Sequence, residues 1–223
     1  MRNALVSACL LTLVAGCGTT DATSAPSSAP TTTTTTTTSA APKLSAAEVE
    51  QKLGQVIAAT TFEALGGKLD KGPAEHVKAK LLTVTCEGEL GSNRLIGNET
   101  GSTWFVAGSV VKTKVVHYDE IKANEIIDSV RKLISCGSFV ETWSEGTPTV
   151  TVHGEFETPK QPEADGQIAW CETVSPTFGR CYGLVTRGEF ASVVLVATAN
   201  VDKAKGTLGN ALPIVAKAVG TVG

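Results

Sequence analysis

The chain has 223 residues, 42% hydrophobic and 18% charged, with 19 Lys and Arg against 22 Asp and Glu and a formal net charge of -3. The basic residues are scattered, without a basic stripe or interleaved aromatics, so a nucleic-acid partner has no electrostatic footprint. Three histidines and no His-Glu-x-x-His helix, glycine-rich phosphate cradle or Gly-x-Ser-x-Gly elbow leave metalloprotease, nucleotide-binding and serine-hydrolase chemistry without their usual motifs.

Arg2 followed by an apolar run from Ala4 to Ala15, broken by Ser7 and Thr12, has the charged-then-hydrophobic order of a secretory signal and is too short to span a bilayer. At its end Val14-Ala15-Gly16-Cys17 resembles the lipobox of bacterial lipoproteins. That resemblance implies removal of residues 1–16 and lipidation of Cys17, which becomes the new first residue. Two or three acyl chains exceed what reversible attachment needs, so the predicted location is the extracytoplasmic face of the cell membrane, with membrane contact through the lipid alone. The segment 17–41, with eight consecutive threonines, has almost no apolar bulk and is expected to be a disordered tether reaching roughly 20–30 Å.

The remaining 42–223 is enough for one sizeable domain. Cys9 leaves with the signal and Cys17 is lipidated, so Cys86, Cys136, Cys171 and Cys181 remain, an even number that points to two disulfides in an exported protein. Three pairings are open. Closeness across the turn-rich "ETVSPTFGR" favours Cys171 with Cys181, which leaves Cys86 with Cys136. A four-cysteine metal site lacks the short Cys-x-x-Cys knuckles, so neither metal nor other cofactor is expected.

Taken in order, "KLSAAEVEQKLG" carries a capping box at Ser45 and Glu48 and predicts a helix to about Leu53. "FEALGGKLDKGPAEHVKAKL" is broken by Gly66, Gly67, Gly72 and Pro73 and reads as a connection. "LLTVTCEGEL" reads as a strand carrying Cys86, and "TWFVAGSVVKTKVVHY" as one or two strands broken at Gly108. Ala123, Ile126, Ile127, Val130, Leu133 and Ile134 recur at three and four, predicting a helix from about Asp119, its candidate cap, to Ser135. "TPTVTVHGEFE" alternates as a half-wet strand, and "KQPEADGQ" is a loop. "IAWC" and "CYGLVTRGEFASVVLVATANV" give strands with a hairpin near Arg187-Gly188, of which "ASVVLVATA" is the candidate central strand covered by helices. A C-terminal helix from about Ala204 to Val219 is expected to kink or divide at Pro213. Together these predict an α+β domain with helices packed on a mostly antiparallel sheet.

The carboxylates Glu87, Glu89, Glu99, Glu141, Glu145, Glu155 and Glu157 single out no acid–base pair. His153 reads first as the wet-face member of a strand and second as a ligand contact. Trp104 and Trp170 read as core, Trp170 being held beside the Cys171 disulfide. Trp143, in the polar "ETWSEGTP", reads equally as packing lid or cleft wall. The candidate cleft residues are Trp143, Trp170, Tyr182 and His153, and no catalytic residue is assigned.

The lipobox, the Thr/Ser/Pro tether, "LSAAEV", "IIDSVRKLISCG", "AWC", "RCYG" and a hydrophobic strand leading into a long C-terminal helix together resemble the PknH-like extracellular sensor domain, over roughly residues 42–219. That family occurs outside some actinobacterial serine/threonine kinases and in stand-alone lipoproteins. The resemblance implies an α+β domain with two disulfides and a large cleft for an unidentified ligand, hence binding or sensing without catalysis. The leading expectation is a surface-anchored domain for a lipid, glycan or cell-wall fragment. An accessory or carrier lipoprotein acting through envelope protein partners comes second, and an envelope hydrolase last.

Overall fold

The computed structural model describes residues 43–73, 81–88, 90–144 and 146–222. The leader, Cys17 and the tether, together with His76, Glu89 and Glu145, lie outside the described residues. The described residues fall within one compact unit, Lys43–Gly223, with its own core and disulfides, which equips it to fold alone.

Helix α1, Ala46–Ala59, starts as its capping box dictates: the Glu48 N–H donates to Ser45 Oγ, and the Ser45 N–H donates back to Glu48 Oε2 at 2.8 Å. It runs beyond Leu53 because Val56 and Ile57 continue the buried stripe. Eight strands follow: β1 (Lys68–Lys71), β2 (Ile96–Val106), β3 (Ser109–Tyr118), β4 (Ser138–Val140), β5 (Thr149–Glu155), β6 (Gly166–Ser175), β7 (Phe178–Arg187) and β8 (Phe190–Thr198). They form one sheet in the order β1-β2-β3-β8-β7-β6-β5-β4, every neighbouring pair antiparallel. The domain is α+β. Ala107 and Gly108, both with positive φ, turn β2 into β3, matching the twist a two-residue hairpin requires.

The C-terminal helix α3, Val201–Gly220, is capped by the Asn200 side chain, which accepts from the Lys203 N–H. It runs unbroken through Pro213, where a kink or a division was expected, so the division does not occur. Its buried stripe, which includes Leu208, Leu212, Val215 and Val219, lies on the sheet, and this packing outweighs one missing backbone bond. Gly183 of β7 permits the close approach, since a Cβ there would sit 2.6 Å from Leu212 Cδ1. Helices α1 and α3 thus cover one face of the sheet over Trp104, Val111, Val115 and Val194.

The opposite face is covered differently. The helix expected over Asp119–Ser135 is shortened to a 3-10 turn at Ala123–Ile126, α2 at Ile127–Leu133 and a second 3-10 turn ending at Cys136. Its first turn is lost because the Ala123 N–H, which would close that turn on the Asp119 carbonyl, donates to the Gly188 carbonyl instead. Asp119 therefore caps nothing; its carboxylate lies 3.4 Å from His117 Nδ1. Among the described residues of "LLTVTCEGEL" the expected strand is also absent. Residues Thr85–Gly88 form an irregular 3-10 turn with Cys86, Glu87 and Gly88 at positive φ. Cys86 is bonded to Cys136 there, and a Cβ at Gly88 would meet the Thr83 carbonyl oxygen at 2.2 Å, so the chain folds back on itself instead of extending. The second disulfide joins Cys171 and Cys181, directly opposite each other on β6 and β7.

Candidate functional site

On the face opposite α1 and α3, the segment Leu81–Val84 overhangs the sheet and encloses a cleft of about 340 Å³. Register sets out its floor in cross-strand rows. One row runs through Lys71, Thr103, Lys112, Leu195 and Tyr182, the next through Gly101, Lys114 and Val193, and the third brings in Glu99. Leu81, Leu82, Val84, Val193 and Leu195 supply apolar wall, a composition suited to an apolar or amphiphilic ligand. Gly101 keeps β2 against β3, for a Cβ there would lie 2.5 Å from the Thr113 carbonyl oxygen.

The overhang is held from several sides. Lys114 Nζ donates to the Leu81 carbonyl at 2.8 Å, and the Leu82 N–H donates to Asn93 Oδ1, whose amide in turn donates to the Gly88 carbonyl. Thr85 follows immediately. Its hydroxyl donates to Glu172 Oε1 at 2.5 Å while its oxygen accepts from Trp170 Nε1 at 3.0 Å. Glu172 is wholly buried and also accepts from Arg180 Nε, and Arg180 reaches Glu141 Oε2 with Nη2 at 2.7 Å. Burial works against the Arg180 charge, but Tyr182, Glu141 and Glu172 more than offset it, so the guanidinium is held charged more firmly than usual. Tyr182, stacked on Trp170 at 4.8 Å, has its phenol pushed above the ordinary range by burial and then by the Glu172 charge. A buried ionic and hydrogen-bonded chain thus runs from β6 and β7 into the base of the overhang, and the Cys86–Cys136 bond ties that base to the end of the α2 segment.

Glu99 differs from these groups. It is 4% exposed and lines the cleft, yet among the described residues neither of its carboxylate oxygens receives a hydrogen bond. Lys114 Nζ stands 3.5 Å from Oε2, at ion-pair distance only.

Of the residues singled out from sequence, Tyr182 lines the cleft and Trp170 lies behind it in the stack. Trp170 and Cys171 are neighbours in the chain but face opposite sides of β6, in separate cores, so the disulfide does not flank the indole. Trp143 is 39% exposed and meets Phe178 edge-on at 5.8 Å; His153 is exposed on β5, 2.7 Å from Thr173 Oγ1. Neither belongs to the cleft lining. Glu155 is taken up by an exposed ion pair with Arg131. Among the described residues no group of three or more His, Cys, Asp or Glu side chains is arranged to hold a metal ion, and no helix is long and apolar enough to cross a membrane.

No protein-family model matches the chain, and no curated protein matches its sequence. In structure it is similar to the extracellular domain of PknH from Mycobacterium tuberculosis, with a TM-score of 0.52 at 15% identity, covering 81% of this chain and 97% of that one. It is more weakly similar to a Mycobacterium smegmatis protein, the Rv0999 ortholog, with a TM-score of 0.41 at 13% identity over 72% of this chain and 96% of that one, and nothing rests on that likeness. The chain shares the fold of the PknH extracellular domain.

Proposed function

We propose that this chain is a non-catalytic, extracytoplasmic binding protein, anchored to the membrane by a lipid on Cys17, and that it holds an apolar or amphiphilic envelope molecule in the cleft beneath Leu81–Val84. The observation that carries the reading is the cleft itself: an apolar hollow on a sheet face, roofed by a segment fastened through a buried network and a disulfide. A pre-formed hollow needs little ordering when a ligand enters, which favours binding. The shared fold with an extracellular domain supports the location, as does the signal-like leader ending in Val14-Ala15-Gly16-Cys17. Of the described histidines, His153 contacts Thr173 and His117 lies against Asp119 and Glu189, and neither lines the cleft.

Binding of the uncharged dye Nile red to residues 43–223 tests the cleft. The half-buried Leu195 can be replaced by arginine without burying a full charge, and L195R should weaken dye binding at least about tenfold, a loss of about 1.4 kcal/mol. Equal binding by both proteins would overturn the reading. Replacing Cys17 with alanine should move the full chain out of the membrane fraction. A second reading, an accessory lipoprotein acting through envelope proteins, draws on the exposed Leu69 and Phe105 near the β1 edge of the sheet, 52% and 51% accessible.

A further inference from the structure

We infer that the cleft selects a neutral, hydroxyl-bearing amphiphile, whose hydroxyl donates to Glu99 while its apolar body lies against Leu81, Val84, Val193 and Leu195; this rests on the cleft being a binding site. A carboxylate taken almost completely out of water normally gathers two or more hydrogen bonds, because leaving its lone pairs empty costs much of its solvation. Glu172, on the same face, shows the usual arrangement, with Thr85 and Arg180 both donating to it. Among the described residues Glu99 has no such donor; Lys114 pairs with it by charge at 3.5 Å and donates a hydrogen bond to the Leu81 carbonyl. The acceptor capacity is therefore left for something that enters the cleft. Both oxygens are closed to solvent, so a donor reaches them only when the partly exposed Lys114 side chain gives up its hydrogen bond to the Leu81 carbonyl and moves aside.

Charge decides between head groups. Lys71, Lys112 and Lys114 line the same cleft, so a cationic amine has three like charges to pass. A carboxylate is drawn by those lysines but meets the like charge of Glu99, to which it can donate no hydrogen bond. A hydroxyl has neither conflict. The rows of the floor also give it length: Thr103, in the row with Lys71 and Lys112, lies four residues along β2 from Glu99, about 14 Å at strand spacing. A head group at Glu99 therefore leaves a chain's length of apolar wall beside it.

The test is a calorimetric titration of residues 43–223 with four chain-matched probes: monodecanoylglycerol, methyl decanoate, decanoic acid and decylamine. A hydrogen bond to a charged acceptor predicts monodecanoylglycerol binding roughly ten- to a hundred-fold more tightly than methyl decanoate, with the acid and the amine both weaker than the glycerol ester. In Glu99→Leu, checked for a native circular dichroism spectrum, the preference for the glycerol ester over the methyl ester should fall to about one. Glu99→Gln, which keeps one acceptor oxygen and the shape, should retain part of it. Equal binding of the two esters by the unaltered protein, or tightest binding of the acid or the amine, would overturn this inference alone. No binding of any probe would remove the cleft reading together with it.

Discussion

The two faces of the sheet are closed by different means. On one face, α1 and α3 lay continuous apolar stripes over Trp104, Val111, Val115 and Val194, and Gly183 lets α3 settle against β7. On the other, a shortened helix, an irregular turn and the Leu81–Val84 overhang are fastened by the Cys86–Cys136 bond and by the Thr85, Glu172, Arg180 and Glu141 chain. Helices fill the space they cover. A loop held by point attachments stands off the sheet and leaves a hollow beneath it. The cleft is thus a consequence of how its face is roofed, and its shape depends on the attachments.

The comparison is most easily broken at Arg180. Replacing it with methionine leaves Glu172 buried with Thr85 as its remaining donor and should cost about 3–5 kcal/mol in urea unfolding. Dye binding should be lost as well, because the roof is released. Next come the disulfides. In the chain-entropy account the bridge with a sequence separation of 50 contributes roughly 4 kcal/mol and the bridge with a separation of 10 roughly 3 kcal/mol. Replacing Cys86 and Cys136 with serine should weaken ligand binding along with stability, whereas replacing Cys171 and Cys181 should lower stability alone, since that pair lies on the helical face.

Gly183→Ala tests the helical face by itself. The added methyl would press on Leu212 and should cost about 1–3 kcal/mol while the cleft keeps its affinity for dye. The smallest effect is on pH dependence. The chain has two tyrosines, Tyr118 and Tyr182, and burial raises the pKa of both above the ordinary value of 10. Above that pH the unfolded chain sheds phenolic protons that the folded one keeps, so the unfolded state binds fewer protons and stability falls as pH rises. Phenolate absorbance should therefore appear together with the loss of circular dichroism, and not ahead of it near pH 10.

Much of the fold was legible because its signals are local. The capping box at Ser45, the apolar run "ASVVLVATA" and the turn at Arg187-Gly188 each announce their own element. Where the reading failed, long-range bonds had overridden local pattern: the Ala123 N–H is drawn to Gly188, Cys86 to Cys136, and the α3 stripe carries the helix past Pro213. The site was harder to see. Glu99 lies before Thr103, where the strand was expected to start, so its inward position had no visible alternation. Glu172 and Arg180 did leave a trace. Once Cys171 is set opposite Cys181 on neighbouring strands, antiparallel register puts Trp170 opposite Tyr182 and Glu172 opposite Arg180. What sequence cannot give is the overhang, because its place above β2 and β3 depends on attachments far apart in the chain.

The central claim, that the face opposite α1 and α3 is the binding face, is tested most directly by backbone amide shifts of residues 43–223 titrated with monodecanoylglycerol. Saturable changes confined to Gly101, Lys114, Val193, Leu195 and the Leu81–Val84 segment are the predicted result. Saturable changes centred on α3, from Leu208 to Val219, with the cleft residues unmoved, would contradict it.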